Sequence, residues 1–163
     1  MQNTKNPWAN VFIFKDGKLF NDPSRKVQGV KHGKPVGRVN GNGYLIAGYQ
    51  RKDYYVHRII WEIHNGPIPD GYMIDHIDGD RSNNHIENLR LATRKQNGMN
   101  CKRHNDRKHD LPKGVYLHKC GKYQCNLTID GKSTYIGFFS DLALAEQTIQ
   151  AARETHHGEF ARH

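Results

Sequence analysis

Two short apolar runs, Met73–Ile77 and Leu89–Ala92, flank a stretch, Asp78–Asn88, in which Ile86 alone is apolar. Runs of this length read as strands, so the connection between them is a polar loop too long for a tight hairpin. Immediately after the second run, Thr93-Arg94-Lys95-Gln96 has the Thr-x-x-Gln spacing of a capping box, which predicts a helix starting at Thr93. Strand, long polar loop, strand and capped helix make a compact ββα unit. A loop so polar and so long favours function over simple connection.

The rest of the chain divides by its turn signals. Asp16-Gly17 lies between Val11–Phe14 and Leu19–Phe20 and reads as a hairpin. Asn40-Gly41 and Asn42-Gly43 precede a strand over Tyr44–Tyr49, and Val56, Ile59, Ile60 and Ile63 mark one face of a short helix that stops at Asn65-Gly66-Pro67. Three alternating runs, Val115–His118, Tyr123–Ile129 and Ser133–Phe139, read as strands with turns at Cys120-Gly121 and Asp130-Gly131. From Asp141 to His156 the spacing of Leu142, Ala145, Ile149 and Ala152 predicts a helix closed by Gly158. The expected class is α+β, with short N-terminal strands (residues 1–55), the ββα unit (56–100), a basic linker (101–112), and a three-stranded antiparallel sheet packed on one helix (113–163). With 36% hydrophobic residues over 163 positions, small modules sharing little buried surface are expected.

Charge narrows the partners. The chain has 25 Lys and Arg against 16 Asp and Glu, a net charge of +9. The excess is concentrated between Arg81 and Tyr123, where Glu87, Asp106 and Asp110 are the acids present. A basic stretch interleaved with Asn, His and Tyr suits a polyanion, because it displaces counterions condensed on phosphate. No window holds the ~18 consecutive apolar residues of a membrane span. The start, MQNTKNPWAN, lacks the apolar stretch of a secretory signal, so a cytoplasmic, non-secreted protein is expected.

Asp75 and His76 on the first strand, Asn88 at the end of the loop and Asn97 on the following helix form a constellation suited to phosphodiester hydrolysis. That reaction needs a base for the attacking water, a divalent cation on the scissile phosphate, and rigid placement of both. Histidine titrates near neutrality and suits the base. A carboxylate and an amide oxygen suit a hard ion such as Mg²⁺, which keeps several waters. Of two other metal readings, a calcium loop fails on spacing and structural zinc is disfavoured by it. In Asp78–Leu89 the sixth position is Asn83 and the twelfth Leu89, where a calcium loop needs Gly and Glu. Cys101, His104, Cys120 and Cys125 are too irregular for structural zinc, and Cys125 shares the apolar phase of its strand with Tyr123, Leu127 and Ile129.

The stretch from Val56 to Asn100 resembles the HNH homing-endonuclease family of phages and their introns, in Asp75, His76, Gly79, Asn83, Asn84, Glu87, Asn88, Leu89, Arg90, Thr93 and Asn97. The resemblance implies a ββα-metal nuclease with His76 as general base. Asp75 and Asn97 would be the protein ligands of one divalent ion, Mg²⁺, Mn²⁺ or another, and Asn88 would hold the loop and the base in orientation. His85 and His57 are further candidates, His85 to assist and His57 to pack or contact phosphate. Products would carry 5′-phosphate and 3′-hydroxyl ends.

Residues Lys113 to Phe160 resemble a second family, the Apetala/ethylene-response-factor type of DNA-binding domain, in Lys113-Gly114-Val115-Tyr116, Gly121-Lys122-Tyr123, Tyr135–Phe139 and the alanines of the last helix. The resemblance implies a sheet laid in the major groove. Alternation leaves Gln124, Asn126 and Thr128 on the open face, and Lys113, Tyr116, His118 and Tyr135 match further DNA-facing positions. Arg94, Lys95 and the linker's Lys102, Arg103, Arg107 and Lys108 would grip backbone phosphate. The expectation is a phage-type endonuclease of double-stranded DNA, acting as a monomer or weak dimer in its host's cytoplasm. One ββα unit offers one cleavage centre, so a monomer would nick. The competing reading is a DNA-binding regulator on the same fold that has lost cleavage.

Overall fold

Asp16 and Gly17 take left-handed backbone angles, φ 49° and 71°, and close a two-residue turn between β1 (Phe12–Lys15) and β2 (Lys18–Asn21). That backbone matches the twist of the strands, which pair antiparallel from Phe12↔Asn21 to Lys15↔Lys18. The computed structural model describes residues 6–101 and 111–161. Two compact units emerge, Met1–Lys95 and Gln96–His163.

In the first unit a second sheet has the order β3-β4-β5, from β3 (Arg38–Val39), β4 (Leu45–Tyr49) and β5 (Lys52–Tyr55). The middle strand follows the apolar run read from sequence; its neighbours do not. Gln50 and Arg51 turn the chain from β4 into β5 with φ 48° and 62°, without a glycine, and β5 itself is the polar sequence KDYY. Helix α1 (Val56–Asn65) turns Val56, His57, Ile59 and Ile60 inward and stops at Gly66, where φ is 80°. The ββα unit comprises β6 (Tyr72–His76), β7 (Leu89–Thr93) and α2 (Arg94–Met99). Its strands pair antiparallel from Tyr72↔Thr93 to His76↔Leu89.

Trp8, Phe12 and Leu19 pack with Ile59 and Ile60 of α1, Ile74 of β6 and Leu89 of β7 in a single buried cluster. The N-terminal strands and the ββα strands therefore share one core. Each isoleucine or leucine so buried contributes about 1.5–3 kcal/mol by leaving water.

The second unit stacks a three-stranded antiparallel sheet, order β10-β9-β8, on a helix. The strands are β8 (Val115–Leu117), β9 (Tyr123–Ile129) and β10 (Lys132–Phe139), and the helix is α3 (Leu142–His157). Asp141 caps α3 by accepting a 2.8 Å hydrogen bond from the Leu144 amide. Val115, Cys125, Leu127, Ala145 and Ile149 form the core, as the alternation of β9 predicts. The fold is α+β, with a C-terminal sheet on one helix. Among the described residues, no helix is long and apolar enough to cross a membrane.

Candidate active site

The register of β6 and β7 sets Asp75 directly opposite Arg90 and His76 opposite Leu89 at the end of the ladder. Asp75 is 5% and His76 4% exposed. A buried carboxylate needs a partner, and the Asp75 Oδ2 atom accepts from both Nε and an Nη atom of Arg90, each at 2.9 Å. The pairing fixes the carboxyl group on the strand.

Beyond His76 the chain leaves the sheet into the polar loop, and Asn88 brings it back. The Ile77 amide donates to the Asn88 carbonyl at 2.9 Å. The Asn88 side chain accepts from the Asp78 amide at 3.1 Å and donates to the Asp78 carboxylate at 2.9 Å and the Asn83 carbonyl at 2.8 Å. Asp78 also accepts from the Asp80 amide and from the Asn83 amide group, each at 2.7 Å. Burial pushes the Asp78 carboxyl up, but these hydrogen bonds from Asp80, Asn88 and Asn83 outweigh it and hold the group below the ordinary carboxylate range. The loop is thus closed on itself by side chains. Asn88 ties the loop ends together.

A side chain that bonds His76 is Asn84, which was not singled out as a site residue from sequence. Its Oδ1 lies 3.0 Å from His76 Nε2, its Nδ2 donates to the Ser82 carbonyl at 3.1 Å, and it is 1% exposed. Asparagine next to asparagine in a loop reads as turn chemistry. Near-complete burial of Asn84 was the missing signal, and sequence does not carry it.

Aromatic rings surround the other side of His76. His57, in the first turn of α1, meets it edge to face with ring centres 5.0 Å apart. Tyr44 lies 5.4 Å from His57 and 6.2 Å from His76, and Tyr55 stacks on His57 at 5.3 Å. Burial, with smaller contributions from charge at His76 and Arg58, pulls the His57 pKa down to about 3. His57 therefore packs as a neutral ring, and its Nδ1 atom is buried without a hydrogen-bond partner. His85 is exposed and lies against the hairpin turn: a Cβ on Gly17 would come within 2.5 Å of its imidazole. Arg81 reaches across the Tyr44 ring at 4.7 Å and donates to the Asn42 carbonyl at 2.7 Å.

Asn97 is half-buried on α2, which follows β7 directly, and falls in the second compact unit. Arg94 and Lys95 are exposed on the same helix. Among the described residues, no group of three or more His, Cys, Asp or Glu side chains is placed to hold a metal. The donor chemistry here is different: Asp75 supplies one oriented carboxylate, the kind of donor a hard oxygen-seeking divalent ion takes. Cys101 and Cys120 are exposed, and buried Cys125 donates its thiol to the Ala145 carbonyl at 3.4 Å.

On the sheet of the second unit, Tyr116, Gln124 and Phe138 form one cross-strand row and Asn126 and Tyr135 the next. Tyr135 is 60% exposed, Tyr116 and Phe138 are also exposed, and Thr128 lies open further along β9. Gln124 and Asn126 are half-buried and bonded to one another at 3.3 Å. Phe138 shares this face through a register shift between Tyr135 and Gly137, which plain alternation along β10 does not show. His118 bonds the Cys120 sulfur at 3.0 Å, and Lys113 is engaged internally, its ammonium donating to the carbonyls of Met99 and Cys101 at 3.1 and 2.7 Å. Lys102, Arg103, Arg107 and Lys108 lie outside the described residues.

Comparison with known proteins finds several relatives. Protein 3.8 of Escherichia phage T7 is 38% identical over 107 residues, 65% of this chain and 87% of that protein. The SPbeta prophage-derived candidate HNH homing endonuclease YosQ of Bacillus subtilis strain 168 is 35% identical over 66 residues, 37% of this chain and 38% of that protein. The uncharacterized HNH endonuclease L560 of Acanthamoeba polyphaga mimivirus is 31% identical over 121 residues, 74% of this chain and 62% of that protein. The chain thus spans less than two thirds of the length of the last two. No solved structure matches the chain significantly. Residues 54–99, which run from β5 through α2 and include Asp75, His76, Asn84 and Asn88, match the HNH endonuclease family model, so the chain carries an HNH endonuclease domain.

Proposed function

We propose that the protein is a metal-dependent endonuclease of double-stranded DNA, of the homing type, that nicks one strand at each binding event. The observation that carries this reading is the placement of buried His76 beside Asp75, with the carboxylate clamped by Arg90 and the imidazole held by Asn84. Buried polar groups fixed in this way cost stability unless satisfied, and a DNA-binding surface alone has no need of them.

His76 takes the proton of the water that attacks phosphorus. The bond from phosphorus to the 3′ oxygen breaks, leaving 5′-phosphate and 3′-hydroxyl ends. Asp75 and, on the family pattern, Asn97 would be the protein ligands of one divalent cation, Mg²⁺ as the first choice. Such an ion, when bound, stabilises negative charge on the phosphoryl and leaving oxygens. Asn88 keeps the loop in register with the strand ends, so that the base stays where the strand delivers it. His57, neutral at physiological pH, walls the base without competing for its proton.

The second unit supplies additional DNA contact through its open sheet. Charge supports this face over the opposite one. The segment holding the strands carries Lys113, Lys119, Lys122 and Lys132 against Asp130, whereas α3 and its flanks carry Asp141, Glu146, Glu154 and Glu159, with Arg153 buried. A sheet that is basic on one side and backed by an acidic helix turns the sheet toward phosphate.

The test is conversion of supercoiled plasmid carrying the DNA that flanks the native gene, with Mg²⁺ and with EDTA. Nicked circles formed with Mg²⁺ and not with EDTA are expected. Binding without conversion in any divalent ion would overturn the enzyme reading in favour of a DNA-binding regulator.

A further inference from the structure

On a regular strand two residues three positions apart point to opposite faces. β10 breaks this rule. Its register shifts between Tyr135 and Gly137, so that Tyr135 pairs with Asn126 and Phe138 with Gln124. Gln124 and Asn126 share the face of β9 that turns away from α3, because Cys125 and Leu127, which alternate with them, lie in the core. The bulge therefore brings both rings onto one open face, where Tyr116 of β8 joins them by pairing with Gln124. Tyr135, Phe138 and Tyr116 are 60%, 40% and 38% exposed. A soluble domain keeps its exposed apolar patches small unless a partner uses them.

The chemistry of the face selects the partner. Edges of paired bases are read by Arg, Lys, Asn and Gln. Among the described residues this face presents no arginine, and Gln124 and Asn126 are bonded to one another at 3.3 Å. Aromatic rings stack on the open face of a base, and in a duplex those faces are covered by neighbouring bases. Positive charge lies at the rim. Lys119 and Lys122 are exposed at one end of the strands and Lys132 at the other, with the Lys122 ammonium 5.9 Å from the centre of the Phe138 ring.

We infer that this face binds single-stranded DNA, stacking unpaired bases on Tyr135, Phe138 and Tyr116 while the rim lysines take the phosphates. The inference rests on the reading of this sheet as a DNA contact and adds which form of DNA it takes. The spacing agrees. Tyr135 and Phe138 are one pleat repeat apart, about 7 Å along the sheet, against about 3.4 Å between neighbouring nucleotides of a duplex strand. A strand that seats one base on each ring is already unstacked, as a strand end freed at a nick is.

The test is fluorescence anisotropy of the full-length protein in EDTA with a labelled oligothymidylate, a duplex of equal length and an oligouridylate. Tyr135→Ala and Phe138→Ala should each weaken oligothymidylate binding about 10-fold and duplex binding by less than about twofold. Phe138→Tyr, which keeps a stacking ring, should bind as the wild type does. Both side chains are exposed, so the melting temperature should not move. No binding of the oligothymidylate by wild type, equal losses on oligothymidylate and duplex, or tighter binding of the oligouridylate would overturn the inference. Ring-dependent binding by a protein that cuts no DNA would uphold the stacking face and overturn the nuclease reading. Cleavage by a protein without ring-dependent binding would do the reverse.

Discussion

The loop between β6 and β7 is held by hydrogen bonds among Asp78, Asp80, Ser82, Asn83, Asn84 and Asn88. The sheet of the second unit is held on α3 by the apolar cluster of Val115, Cys125, Leu127, Ala145 and Ile149. Apolar burial is forgiving in direction and strong in sum, so it suits a surface that must simply persist. Each intramolecular hydrogen bond adds only about 0.5–1.5 kcal/mol net, yet it fixes angle and distance. The loop uses the weaker force because it must hold an imidazole in one orientation. The two regions therefore fail differently when cut.

The largest expected effect lies at the carboxylate. Asp75→Asn keeps the shape, removes the charge that faces Arg90, and should lower cleavage by about 1000-fold at ordinary Mg²⁺ concentrations. DNA affinity in a gel shift should be unchanged or improved. Turnover at the parental rate would remove Asp75 as a ligand.

Next, Ile149→Ala opens a cavity at a position with 0% exposure and should cost about 3 kcal/mol in thermal denaturation of the second unit. Below that transition the cleavage rate should be retained. A large loss of kcat at low temperature would mean that the core of α3 supports the chemistry directly.

Asn88→Ala removes three hydrogen bonds of the loop and should cost about 2 kcal/mol, with a fall in kcat out of proportion to any change in melting. An effect on melting alone would reduce Asn88 to a structural tie.

A smaller effect is read in pH. The folded pKa of His57 is about 3, against an ordinary 6.5, so between those values the unfolded chain binds a proton that the folded one does not. The stability this group contributes is fully present above pH 6.5 and falls as pH drops toward 3, by up to about 1.4 kcal/mol per pH unit. His57→Phe should flatten that part of the stability profile, in a denaturant series between pH 4 and 7. An unchanged slope would show that His57 is not the buried neutral group responsible.

What sequence made legible follows the same division. The bounds of β9 and the inward phase of Cys125 come straight from alternation, because one apolar face packs on a helix. The hairpin at Asp16-Gly17 is equally plain, since its residues tolerate positive φ. β5 was invisible because KDYY carries no apolar phase and Gln50-Arg51 gives no turn signal. Asp75, His76 and Asn88 could be picked out by residue type and spacing, but the bonds of Asn84 to His76 and of Arg90 to Asp75 depend on register and burial. Lys113 has the composition of a phosphate contact, and only the structure shows its ammonium bonded to the Met99 and Cys101 carbonyls.

The central claim, that the loop exists to hold a base, is tested most directly by measuring cleavage and binding side by side for wild type and His76→Ala on the same flanking DNA in Mg²⁺. Cleavage should fall at least about 100-fold while affinity stays within about twofold. A His76→Ala protein that nicks at the wild-type rate would contradict the account.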